Sequence, residues 1–226
     1  MARAFLVVMD STGIGGAPDA DGFFNGAVPD TGSNTIGHIA QACAEGRAEE
    51  GRSGPLRLPN LVEMGLGAAT ALASGLRADS LSGEVRGTWG AATEVSRGKD
   101  TPSGHWELAV LVVHWAWHYF KNVTNSFPPQ LVAQLAEFAG VDGILGNCHA
   151  PGTAIIEQFG SAHIKTGFPI CYTSADSVLQ IAAHEVHFGL DRLMALCAKI
   201  APIAHEMNVG RVIARPFVGD AETGFV

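Results

Sequence analysis

Phe5-Leu-Val-Val-Met9 runs directly into Asp10-Ser-Thr-Gly-Ile-Gly-Gly16. The apolar run is too short for a helix and a glycine-rich loop follows it. It is therefore predicted to be a strand buried on both faces, as strands of parallel sheets are. Asp10 would stand at its carboxyl end, where open α/β sheets bind ligands. By position alone, Asp10 suits a metal ligand, a nucleophile or an Asx-turn residue. The glycines do not make a phosphate loop: the P-loop lysine is missing, and Pro18 falls where G-x-G-x-x-G needs its last glycine.

Outward from this stretch, strands and helices alternate. Asn34 is a good capping residue ahead of helical spacing through residue 43, and residues 61–72 read as a helix despite Gly65 and Gly67. Residues 89–95 are predicted as a strand and residues 108–120 as a β-rich stretch. Beyond these, helices are predicted over 128–139, 177–187 and 190–203, and strands over 169–172 and 212–214. The pattern argues for an α/β architecture.

The 226 residues, 47% hydrophobic and 16% charged, suffice for an ordinary core in one or two domains and exclude a disordered chain. The 28 Gly and 11 Pro have no collagen period, so they mark turns and close approaches. A formal charge of -8 disfavours nucleic acid and acidic membrane surfaces as partners. An anionic substrate would need a local positive site made of cations, helix N-termini or a few arginines. Cys43, Cys148, Cys171 and Cys197 contain no C-x-x-C pair and read as buried thiols of a reducing compartment. No apolar run reaches the roughly 18 residues of a membrane span, and the amino terminus lacks a secretory pattern, so a soluble cytoplasmic protein is expected.

Gly98-Lys-Asp-Thr-Pro-Ser-Gly-His-Trp-Glu107 is the most informative polar segment. Thr101 before Pro102 reads as an N-cap with proline at the first helical position, where free N–H groups and the helix dipole favour a phosphate. A threonine there is either a cap or, with a cation lowering its pKa, a phosphoryl acceptor. His105 and Glu107 are site groups or core polar residues. His184 and His187 lack the HExxH spacing, and His114 and His118 have it in a β-rich stretch, where it separates them too far for one ion. Thr173-Ser-Ala-Asp-Ser177 is a helix-capping turn or a sugar-binding lip. Arg211 and Arg215 flank a strand and suit acids or a phosphate.

These segments, together with Asn34-Thr-Ile-Gly-His-Ile-Ala40, Gly54-Pro-Leu-Arg-Leu-Pro-Asn-Leu61, Gly146-Asn-Cys-His149 and Gly210-Arg-Val-Ile-Ala-Arg-Pro-Phe217, resemble prokaryotic phosphopentomutase of the alkaline phosphatase superfamily. They occur in the family's order over nearly the whole chain. The resemblance implies an isomerase that interconverts (deoxy)ribose 1-phosphate and 5-phosphate through a phosphothreonine and two Mn²⁺ ions. It implies Asp10 and Thr101 as metal ligands, Thr101 as the phosphorylated residue, and Thr173, Ser174, Asp176, Val178, Arg211 and Arg215 as substrate-binding residues. The implied fold is a partial alkaline-phosphatase-like core, a mainly parallel sheet between helices, over residues 1–115, with a smaller α/β cap over 116–226.

The chain departs from the family in having no Asp-His-Gly segment, Thr12 in place of a bulky apolar residue, and Val110, Ala116 and His118 in the stretch leading to the cap. It is therefore expected to be an amino-terminal part of the family chain, inactive by itself. The alternatives are a non-catalytic sugar-phosphate-binding remnant or a phosphatase of the same superfamily.

Overall fold

The computed structural model describes residues 3–9, 11–25, 27–98 and 100–226. It divides into two compact units, Met1–Glu94 and Val95–Val226. The first holds a short hairpin, β1 (Phe24–Asn25) and β2 (Val28–Pro29), and helices α1 (Thr35–Ala44), α2 (Pro59–Met64) and α3 (Leu66–Ser74). Asn34 caps α1 as expected, its Oδ1 accepting from the Gly37 N–H at 2.9 Å. The helix expected over 61–72 is two helices. Gly65 adopts φ 106° between them and packs against Trp89 so closely that a Cβ would stand 2.5 Å from its ring. Ile36, Ala40, Val62 and Leu81 form a small core there.

Phe5–Met9 is not a strand. Phe5, Leu6 and Val7 are 84%, 72% and 82% exposed and pair with no described strand. A strand apolar on both faces needs neighbours at both edges and a layer over each face, and no described segment supplies them. Residues 89–95 form no strand, and of residues 108–120 the first ends a helix, the next two turn, and the rest pair in no ladder. Val113 and Phe120 are nevertheless buried, and backbone bonds from Arg97 to Val113 and from His118 to Asn208 tie this stretch down without a ladder.

The second unit holds α4 (Thr101–Leu108), α5 (Pro129–Ala139), β3 (Leu145–His149), α6 (Gly152–Thr166), β4 (Ile170–Thr173), β5 (Val178–His184), α7 (Leu190–Glu206), β6 (Arg211–Phe217) and a terminal hairpin, β7 (Gly219–Asp220) with β8 (Gly224–Phe225). The sheet order is β3-β4-β5-β6, with β3/β4 and β5/β6 parallel and β4/β5 antiparallel. It is a mixed, mainly parallel sheet. Helices α5 and α7 pack with Leu179, Ile181 and Ala183 on one face, and α6 packs with Ile170, Tyr172, Ala182 and Phe217 on the other.

The helix expected over 177–187 is strand β5, followed by one π-helical turn, Glu185–Gly189. All seven residues of β5 are buried, because it pairs on both edges and is covered on both faces. Burial on two faces demands an apolar run, which erases the alternation that would have announced a strand. Strand β3 and helix α6 were not foreseen. Gly146 and Asn147 in β3 have positive φ and sit at a register shift, so its sequence reads as a turn.

His163, 1% exposed, joins α6 to the sheet: its Nδ1 donates to the Phe168 carbonyl (2.6 Å) and its Nε2 accepts from the His184 N–H (2.9 Å). That arrangement requires the neutral ring. Burial, above all, pushes its pKa below the usual value. The unfolded chain then takes up the proton first, so stability is complete above about pH 6.5 and is lost as pH falls below it. Urea denaturation between about pH 5 and 7 should show this acid limb, flattened in His163→Gln. An unchanged limb in the variant would assign it to another group.

Candidate functional site

Asp100, not Thr101, is the N-cap of α4; Thr101 and Pro102 are its first two residues. Proline costs nothing there because the first helical N–H groups have no intrahelical acceptor. Thr101 is exposed at the helix start. His105 is turned toward the Thr101 carbonyl (Nδ1 to O 2.9 Å), within its own helix. Behind Thr101, buried Ser103 accepts from the Trp117 indole at 2.6 Å, and the rings of Trp106, Trp115 and Trp117 meet at 5.6 to 6.4 Å. Glu107 accepts from the N–H groups of Val95 and Ser96, both at 2.8 Å. Bonds from Ser96, chiefly, and from Val95 hold its carboxyl below the usual range.

Asp100 does not use its side chain to cap the helix. Its Oδ2 accepts from the Ser177 N–H at 2.9 Å, and its Oδ1 lies 3.1 Å from Arg211 Nε. The latter is a charge contact without hydrogen-bond geometry. Arg211 also reaches Asp176, Nη2 to Oδ2 3.4 Å. Ser177, wholly buried, donates its hydroxyl to the His118 carbonyl (2.7 Å) and accepts from the Gly210 N–H (2.8 Å). Burial pushes the Asp100 carboxyl up to about 6, against the opposing pull of Arg211 and the Ser177 N–H.

The structure thus brings Thr101, Asp176 and Arg211 into one neighbourhood, through Asp100. Thr173 and Val178 are buried in the sheet, the Thr173 hydroxyl donating to the Val178 carbonyl at 2.7 Å. Ser174 and Asp176 lie in the turn from β4 to β5, and Arg215 is exposed on β6. Asp10 lies outside the described residues. His184 accepts from the N–H groups of Val186 and His187 at the start of the π turn, and the His118 ring packs edge-on to Phe120. Among the described residues, no three His, Cys, Asp or Glu side chains converge as a metal site. The four cysteines are free thiols, and no described helix is long and apolar enough to cross a membrane.

Asp100 and Ser177 were missed as site residues. A signal existed for Asp100, since an acid immediately before a proline-led helix occupies the N-cap position. Ser177 showed only as the end of the polar turn 173–177, because its value lies in the three separate segments that converge on it.

The fold and this constellation define an α/β protein that presents an exposed threonine at a helix start, fixed to a mixed sheet by a buried ion pair. No family model matches the chain. It is 56% identical to "Phosphopentomutase" of Methylorubrum extorquens, 54% to that of Rhizobium leguminosarum bv. trifolii, and 53% to that of Shewanella frigidimarina. Each match covers 100% of this chain and 55% of the relative, so the chain spans about half the length of the curated relatives it matches. Over its entire length, the chain is homologous to the phosphopentomutases.

Removing Arg211 would leave the Asp100 carboxyl buried without its countercharge. Arg211→Met is expected to destabilise the Val95–Val226 unit by about 3 kcal/mol in urea denaturation, and adding Asp100→Asn to recover part of that loss. Equal stability of Arg211→Met and the parent chain would show that the pair holds nothing.

Proposed function

We propose that this chain is part of a phosphopentomutase and carries its phosphoryl acceptor, Thr101. The observation that carries the reading is the identity of 53–56% along the whole chain to proteins of that name. An exposed Thr101 hydroxyl at a helix N-terminus supports it. The reaction then balances as two transfers. Phosphothreonine gives its phosphoryl group to the C5 hydroxyl of a pentose 1-phosphate, forming a bisphosphate and a free threonine. The C1 phosphoryl group then passes to the Thr101 oxygen, releasing the pentose 5-phosphate. The first N–H groups of α4 and its dipole favour the negative charge in both transfers.

Within this proposal the sheet of the second unit is the cap, and Ser174, Asp176, Arg211 and Arg215 face the sugar phosphate with Thr173 and Val178 supporting them from within the sheet. The proposed crossing from core to cap falls near residue 115, whereas the compact units divide at Glu94 and group α4 with the sheet. Two Mn²⁺ ions are part of the family expectation and would supply Lewis-acid stabilisation of the transferred group. The described residues do not fit such a pair: Thr101 offers one oxygen, the Asp100 carboxylate is taken by Ser177 and Arg211, and no ligand cluster is present among them.

Thr101→Ala is expected to abolish phosphate incorporation from a bisphosphorylated pentose in any preparation that turns over; undiminished labelling would sink the assignment. The 226-residue chain by itself is expected to take up Mn²⁺ weakly in calorimetry and to show no turnover of ribose 1-phosphate in a coupled assay. Two tightly bound equivalents with turnover would show that it suffices as it stands.

A further inference from the structure

Strand β5 ends in a junction held by two buried histidines, His184, its last residue, and His163 of α6. Every ring nitrogen of the pair is engaged with the backbone. His163 donates from Nδ1 to the Phe168 carbonyl and accepts the His184 N–H at Nε2. His184 meets the Gly219 carbonyl through Nε2 at 3.0 Å, and its Nδ1 accepts from the N–H groups of Val186 (3.1 Å) and His187 (3.3 Å). A carbonyl oxygen can only accept, so Nε2 carries the His184 proton and Nδ1 carries none.

The turn that these bonds begin is the π-helical Glu185–Gly189. Its first N–H groups have no acceptor within the turn, a place usually filled by the oxygen of Ser, Thr, Asp or Asn. Here the acceptor is an imidazole nitrogen, a base that titrates between pH 5 and 8 in ordinary surroundings. The N–H groups of His184, Val186 and His187 thus rest on two imidazole lone pairs. Little else covers the turn. Glu185, Val186 and His187 are exposed, while Phe188 is buried between the His163 ring (centroids 5.7 Å apart) and the Arg192 guanidinium (4.2 Å).

A proton on His163 is opposed first by burial and then by the charges of His184, His187 and Arg192 of α7. The neighbouring acids do little to offset this. Glu185 and Asp191 are exposed to water, and the Asp220 carboxylate of β7 accepts from Glu222 and Thr223 of its own hairpin. From β6 the apolar ring of Phe217 stands 5.5 Å from each imidazole.

We propose that His163 and His184 form an acid-opened latch on the π turn Glu185–Gly189. A proton enters at an acceptor atom, His163 Nε2 or His184 Nδ1, and either entry expels the N–H groups bonded there. The contact of His184 Nε2 with Gly219 survives, because a charged ring is the stronger donor. The turn therefore opens while the hairpin of β7 and β8 stays attached, and Phe188 is uncovered. The closed turn is complete where both rings are neutral and is lost as pH falls below about 6.5, where a released histidine takes up its proton.

Amide hydrogen exchange of the 226-residue chain, followed by NMR between about pH 8 and 5, tests the latch. Corrected for intrinsic exchange rates, protection at the Val186 and His187 amides should fall by about tenfold per pH unit in the acid range for each proton taken up. Leu179 and Ile181 of β5 should keep their protection until the whole unit unfolds, which separates the latch from the global acid limb of His163. His184→Asn puts an oxygen that does not titrate where Nδ1 stands, so protection at Val186 and His187 should become flat over the same range. Ring-nitrogen shifts of the parent chain locate the protons without any variant, with Nδ1 expected to be protonated in His163 and Nε2 in His184. The opposite tautomer on His184 would overturn the proposal. So would protection at Val186 and His187 that tracks Leu179 and Ile181 at every pH, or an unchanged acid response in a folded His184→Asn chain.

Discussion

The second unit depends on a buried carboxylate that has been taken from its local duty. An N-cap acid ordinarily bonds the N–H groups of its own helix. Asp100 instead accepts from Ser177 and faces Arg211, so helix α4 is fixed to the ends of β5 and β6 across long sequence separations. Desolvation of that carboxylate opposes the attraction of Arg211, which is why the pair specifies an arrangement more than it stabilises one. The arrangement it specifies is the orientation of Thr101. Rotating α4 away from the sheet would take Asp100 from the Ser177 N–H and leave Arg211 to Asp176 alone.

What was legible in the sequence follows from where burial is one-sided. Helices α1, α5 and α7 each bury one stripe, and their caps and periodicity placed them to within a few residues. Strand β5 buries both faces and lost its period; β3 hides behind Gly146 and Asn147, whose positive φ reads as a turn. Phe5–Met9 has the composition of a central strand but no described neighbour, since composition states what a segment would bury and not whether a partner is there to bury it. At the site, Thr101 was visible because its motif is local. Ser177 was not, because a hydroxyl that binds His118 and Gly210 while its N–H binds Asp100 is defined by segments scattered through the unit.

An acidic chain that is to bind any anion has to place its few positive charges where they are not already neutralised. On β6 this is settled by neighbours. Arg211, between Asp100 and Asp176, belongs to a group with one positive and two acidic members, so part of its charge is already countered. Arg215 keeps its charge because its polar neighbours, Gln180 and Tyr172, carry none. The two arginines are therefore set apart by their neighbours: one meets the carboxylate that ties α4 to the sheet, and the other meets a neutral amide. Exchanging their surroundings would invert these roles without altering the number of charges. Asp100 and Asp176 stand at one end of the strand and the neutral Gln180 and Tyr172 at the other, so the charge of this sheet face changes along β6.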